Sequence, residues 1–106
     1  MPNYTVVVTF MNGPADGRSV ITHSSHVSIG QGADNDVAID FDPAVVSKHL
    51  EIVHQEDQWL LVAHDGASGV QLNGTRIYGR VALVSDSLVR LGDTQLKVIV
   101  NRTEER

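Results

Sequence analysis

The chain has no cysteine. That excludes a disulfide framework and any thiolate metal site. It is also poor in aromatics, with one Trp, two Tyr and two Phe, so an aliphatic core has to carry the fold. Basic residues are in the minority, 8 Lys and Arg against 13 Asp and Glu for a formal net charge of -5. Binders of nucleic acid or of anionic membranes need clustered cations, and here the cations are scattered, so neither is an expected partner. No apolar run approaches the roughly 18 to 20 residues of a membrane span. The first apolar stretch, "MPNYTVVVTF", has no basic region before it and no cleavage-type motif after it. These absences lead us to expect a soluble, cytoplasmic protein. The three N-x-T sequons, at Asn3, Asn73 and Asn101, are then matters of chance.

What is present is a succession of short strand signals in 106 residues, the size of one domain. "YTVVVTFM" (4–11) and "RSVITH" (18–23) flank the turn formers "NGPADG" (12–17), as in a hairpin. "HVSIG" (26–30) and "DVAID" (36–40) alternate apolar and polar residues. "HLEIV" (49–53) and "QWLLVAH" (58–64) flank "HQED". "VQL" (70–72), "RIYG" (76–79), "VALV" (81–84), "SLVRLG" (87–92) and "TQLKVIV" (94–100) complete the series. The best helix candidate, "DPAVVSKHL" (42–50), is too short and β-branched for more than a turn of helix. About ten short strands at this spacing predict an all-β sandwich over residues 1–100. The charged tail 101–106 is expected to fray.

Three loops carry the candidate chemistry. "GQGADN" starts like a dinucleotide fingerprint, but that motif needs a helix after it, and the next segment is the strand "DVAID". Taken alone, the stretch is equally well a glycine-bearing loop with Asp34, Asn35 and Asp36 as turn formers. In "VVSKHLEI" (45–52), Ser47 and Lys48 offer a hydroxyl and a cation to an anion. His49 suits a structural role in which a ring nitrogen ties down a neighbouring loop. In "DGASGVQLNGT" (65–75), Asn73-Gly74 is a hairpin cue, because a type I′ turn needs positive φ at both central residues. The five histidines do not converge in sequence as a four-ligand zinc site requires. A Ser47–His49–Asp65 set lacks a nucleophile elbow. Neither a metal, a cofactor nor an enzymatic activity is expected.

The order of these motifs resembles the forkhead-associated (FHA) domain across roughly residues 4 to 100. The family's pattern is a Gly-Arg loop, an Asn opening a short strand, and Ser-x-x-His. It continues with a Trp-bearing strand, Ser-x-Asn-Gly-Thr-x-Val-Asn-Gly and a closing apolar-x-Leu-Gly turn. This chain supplies Gly30, Asn35-Asp36-Val37, Ser47-Lys48-His49, Trp59, Val70-Gln71-Leu72-Asn73-Gly74 and Val89-Arg90-Leu91-Gly92 in that order. The resemblance implies a sandwich of ten or eleven short, mostly antiparallel strands. It also implies loops at one end that bind phosphothreonine peptides.

The departures from the pattern fall on the ligand-gripping positions. Where the resemblance implies the phosphate-binding arginine, the chain has Gln31. Ungapped counting between Gly30 and His49 puts Val46 at the phosphate-contacting serine, with Ser47 one residue later; with one inserted loop residue Ser47 is the contact and the Ser-to-His spacing is short by one. Alignment on Leu72-Asn73-Gly74 places Ser68 at the peptide-gripping asparagine. Charge-assisted bonds from Arg are roughly twice as strong as neutral ones, so a neutral amide gives up much of the attraction for a dianion. The expected function is protein–protein interaction with phosphothreonine recognition altered or lost. One alternative is weak phosphothreonine binding in Ser/Thr-kinase signalling, using Ser47, Lys48 and Ser68, with Lys48 or Arg76 replacing the missing arginine. Another is an assembly subunit that self-associates or docks through sheet edges. The partner is a protein or peptide, phosphorylated or not. The candidate binding residues are Gln31, Ser47, Lys48, Ser68, Gly69 and Arg76, with Gly30, Asn35, His49, Asn73 and Gly74 as loop supports.

Overall fold

A computed structural model describes residues 2–64 and 69–104. Among these the chain forms eleven strands in two sheets and no helix. β1 (Pro2–Phe10), β2 (Ser19–Thr22), β10 (Ser87–Leu91) and β11 (Thr94–Glu104) join β7 (Gln71–Leu72) and β8 (Thr75–Arg76) in one sheet. Its order is β2-β1-β11-β10-β7-β8. The second sheet holds β3 (His26–Gly30), β4 (Val37–Ala38), β5 (Leu50–Gln55), β6 (Gln58–Ala63) and β9 (Arg80–Ala82), in the order β4-β3-β5-β6-β9. All pairings are antiparallel except β3 with β4. The expected sandwich is therefore present.

Alternation along the strands explains why the sheets pack face to face. Val6, Val8 and Phe10 of β1 point inward, as do Leu96, Val98 and Val100 of β11 and Val89 and Leu91 of β10. The opposing sheet contributes Val27 and Ile29, Leu50 and Ile52, Trp59 and Leu61. A one-residue slip would turn each of these sets to solvent, so burial fixes the register. Outward-facing Ile99 of β11 and Ile21 of β2 flank Val7 in register.

At the margins one expectation holds and one is corrected. Residues 42–49 form turns and no helix, within the limit of a single turn set by their length and β-branching, beginning with a bond from the Val45 amide to the Asp42 carbonyl at 3.1 Å. β-Branched Val45 and Val46 and the short span leave too few residues to nucleate a helix. The tail does not begin to fray at residue 101. β11 runs to Glu104, and Asn101–Glu104 pair with Thr5 back to Pro2. The β1 partner is long enough to supply backbone bonds that the charged side chains do not oppose.

The connections at one end of the sandwich gather the residues of interest. Ile29, Leu50 and Ala63 stand in register at that end of β3, β5 and β6. The β3–β4, β4–β5 and β6–β7 connections all leave from it. No helix among the described residues is long and apolar enough to cross a membrane.

Candidate functional site

The apical loops are stitched together by main-chain bonds. The Gln31 amide donates to the Val46 carbonyl at 2.9 Å, and the Gly32 amide to the Ser47 carbonyl at 3.2 Å. The His49 amide donates to Ile29 at 2.9 Å, and the His64 amide to His49 at 3.1 Å. These four bonds place β3, the start of β5 and the end of β6 in one layer beneath the loops. They also set Gln31 opposite Val46.

Gly30 is indispensable to this stitching. A Cβ added there would lie 2.3 Å from the Ser47 carbonyl oxygen and 2.9 Å from the Lys48 Cα. Both are backbone atoms that cannot rotate away. Asn35 completes the seam. Its buried side-chain amide donates to the Ser47 carbonyl at 2.7 Å and to the Gly32 carbonyl at 2.8 Å. His49 is fully buried, and its Nδ1 accepts the Val46 amide proton at 3.2 Å. The loop bound by that ring nitrogen is thus the one His49 itself ends. Asp65, the third member of the Ser47–His49–Asp65 set, lies outside the described residues.

Gln31, Ser47 and Lys48 are exposed on the same two loops. Gly69 is half-buried with a φ of 71° in the left-handed region, and Ser68 lies outside the described residues. Asn73 and Gly74 stand away from this seam. They form the two-residue turn between Leu72 and Thr75, with φ values of 51° and 85°. Asn73 exchanges bonds with Leu88, the amide donating at 2.7 Å and Oδ1 accepting at 2.9 Å. The β7–β8 hairpin is thereby pinned to β10. Arg76 is exposed at the end of β8, with its guanidinium carbon 5.4 Å from the Tyr78 ring centroid.

Sequence reading missed two acidic residues. Asp42 is buried at 4% exposure. Its Oδ2 accepts from the Thr94 hydroxyl at 2.7 Å and the Asp93 amide at 2.9 Å, and its Oδ1 from the Ala44 amide at 3.0 Å. Burial by itself raises its pKa, but these bonds and the nearby His49 outweigh it and hold the carboxyl below the ordinary value. Glu51 faces outward from β5 and bonds to the His26 Nε2, with the His64 Nε2 at 2.8 Å from its other oxygen. Partial burial raises its pKa, while His26 and His64 together bring it below the usual value. Among the described residues no group of three or more His, Asp and Glu side chains is arranged to hold a metal ion.

The sequence profile of the family described as the inner membrane component of T3SS, cytoplasmic domain, matches residues 9–101. The chain belongs to this family. The T3SS inner-membrane-component cytoplasmic domain is an FHA-type fold, in agreement with the motif order along the chain. No curated protein matches the chain. Among solved structures, one similar fold is the kinase-interacting FHA domain of the kinase-associated protein phosphatase KAPP in Arabidopsis. It is 24% identical with a TM-score of 0.79, over 99% of this chain and 100% of that one. The FhaA FHA domain, solved with the intracellular domain of a second protein, is 25% identical with a TM-score of 0.74. That match spans 88% of this chain and 98% of that one. EmbR of Mycobacterium tuberculosis, in complex with a low-affinity phosphopeptide, is 20% identical with a TM-score of 0.79. It covers 96% of this chain and 26% of that one.

Proposed function

We propose that this chain is a protein-interaction module whose apical loops bind a partner without requiring phosphothreonine. The observation that carries this reading is the pairing of Gln31 with Val46. The amide of one donates to the carbonyl of the other at 2.9 Å, so the two residues that the ungapped motif count aligns with the cation and hydroxyl of an FHA phosphate site lie side by side. Here they hold a neutral amide and an apolar side chain that is 39% exposed. A phosphate dianion at this pair would give up its water for two uncharged side chains, with Lys48 as the loop's one cation. An uncharged segment would lose far less.

The loops themselves support binding of some kind. Gly30, Asn35 and His49 hold them in one arrangement before any partner arrives, which lowers the ordering cost of association. The similar FHA domains include ones solved with a phosphopeptide and with a protein domain, and this chain would serve the same general purpose with a different ligand. The family description favours a second role, in which the domain docks within an assembly on the cytoplasmic side of a membrane component.

The test is a gain of function. Gln31→Arg with Val46→Ser restores the cation and the hydroxyl on adjacent loops. The double variant is expected to bind a phosphothreonine peptide library at least tenfold more tightly than the native chain, given the strength of charge-assisted bonds. Equal binding by both proteins would count against the proposal.

A further inference from the structure

The crossover between the two sheets, residues 77–79, lies across the base of the β6–β7 connection. The Ile77 amide donates to the Val70 carbonyl at 3.0 Å, and the Gly79 carbonyl accepts the Ala63 amide at 2.7 Å. Val70 and Ala63 bracket that connection from either side. Ile77 packs against the core, and Gly79 turns the chain with a φ of 63°. Tyr78, held between them, is 72% exposed. A large aromatic on a segment fixed at both ends offers contact area at little entropic cost, and such residues dominate interface energetics.

Arg76 gives this platform a charge. Its guanidinium lies over the Tyr78 ring, with its carbon 5.4 Å from the centroid. Among the described residues it joins no ion pair. The ring contact restrains the group, and among the described residues no carboxylate occupies its N–H donors, so they can grip a carboxylate through two parallel bonds.

From this placement we infer that Arg76 and Tyr78 form a second recognition point beside the apical loops, one that takes an acidic side chain of the bound peptide. The carboxylate of an Asp or Glu pairs with Arg76, and an adjoining apolar group lies on the Tyr78 ring. The inference rests on the apical loops being the peptide site, and it holds whether or not the peptide is phosphorylated. It gives the partner a chemistry: an extended segment with an acidic residue at a fixed distance from the residue seated between Gln31 and Val46.

The experiment is selection of the full chain and its variants on degenerate synthetic peptide libraries, unphosphorylated and phosphothreonine-centred. The native chain should enrich Asp and Glu at one fixed position. Arg76→Glu should shift that position to Lys and Arg, and Arg76→Lys should retain the acidic preference in weaker form. Tyr78→Ala should weaken capture about tenfold. Both sites are exposed, and unchanged circular dichroism and Trp59 fluorescence identify the folded variants. An identical preference for the native chain and Arg76→Glu overturns the inference, as does the absence of any selected position. A charge swap seen only in the phosphothreonine library upholds Arg76 as the acid receptor while contradicting phosphorylation-independent binding, so the two claims fail separately.

Discussion

The Thr94 hydroxyl donates to the Asp42 carboxylate at 2.7 Å, joining residues 52 apart in the chain. Through the same carboxylate the β4–β5 loop, which carries Val46 to Lys48, is bound to the turn between β10 and β11. The far oxygen holds the Ala44 amide, so the loop is fixed to the sandwich before any ligand meets it. Gly92 makes the approach possible, since a Cβ there would stand 2.9 Å from the Asp42 Oδ2.

Asp42→Ala leaves the Thr94 hydroxyl and two amides without their acceptor. The expected loss is about 2–4 kcal/mol of folding stability, read by urea denaturation with Trp59 fluorescence. A loss below about 0.5 kcal/mol would show that the loop is held by other means.

The acid limb of stability should bear the mark of the same residue. The folded carboxyl titrates below its unfolded value, because the bonds and the nearby His49 outweigh burial. The stabilisation is therefore fully present above the unfolded carboxylate pKa and is lost as pH falls through the folded one. In that window the unfolded chain binds more protons. Asp42→Asn should flatten the fall in stability there. Glu51→Gln should alter it less, because Glu51 and its histidine partners remain in partial contact with water. The reverse ranking in pH-dependent melts would contradict this assignment.

Gly30→Ala is expected to cost about 3 kcal/mol or more, since its Cβ would meet backbone rather than a yielding side chain. At Gly32 the nearest atom is the Asp34 carboxylate at 2.8 Å, and the closest backbone atom is at 3.3 Å. The Asp34 side chain can swing aside, so Gly32→Ala should be the milder change. Thermal denaturation of the two variants checks the order.

The β7–β8 turn offers a local test. Asn73 has a φ of 51° and accepts the Leu88 amide through its side chain. Asn73→Ala loses that bond and keeps the strained backbone, which should cost about 1–2 kcal/mol. Hydrogen exchange should speed up at Leu88 while Gln31 and Gly32 are unaffected. Faster exchange at the apical amides would mean that Asn73 supports the loops directly.

Much of the fold is legible in the sequence, for a physical reason. Strands such as "HVSIG" and "SLVRL" alternate with a period of two, and alternation predicts both the strand and its buried face. Counting from Gly30 to His49 leaves Val46 and Ser47 as rival positions, and it is the bond from the Gln31 amide to the Val46 carbonyl that sets Val46 opposite Gln31. Asp42 escapes notice because an Asp before a Pro reads as an ordinary turn former, and its burial depends on Thr94 at a distance the local sequence does not reveal. The Glu51 cluster draws on three strands, β3, β5 and the end of β6, so no spacing along the chain announces it. Tyr78 is hidden inside a short apolar stretch. Only the two tethers, to Val70 and Ala63, set it facing outward beside the loops.

The central claim is that binding at the apical loops does not depend on a phosphate. Its most direct test is to titrate the native chain with a phosphothreonine peptide library and with the same library unphosphorylated, under identical salt, by fluorescence anisotropy. Phosphorylation is expected to bring no gain in affinity. Micromolar binding of the phosphorylated peptides alone would contradict the claim.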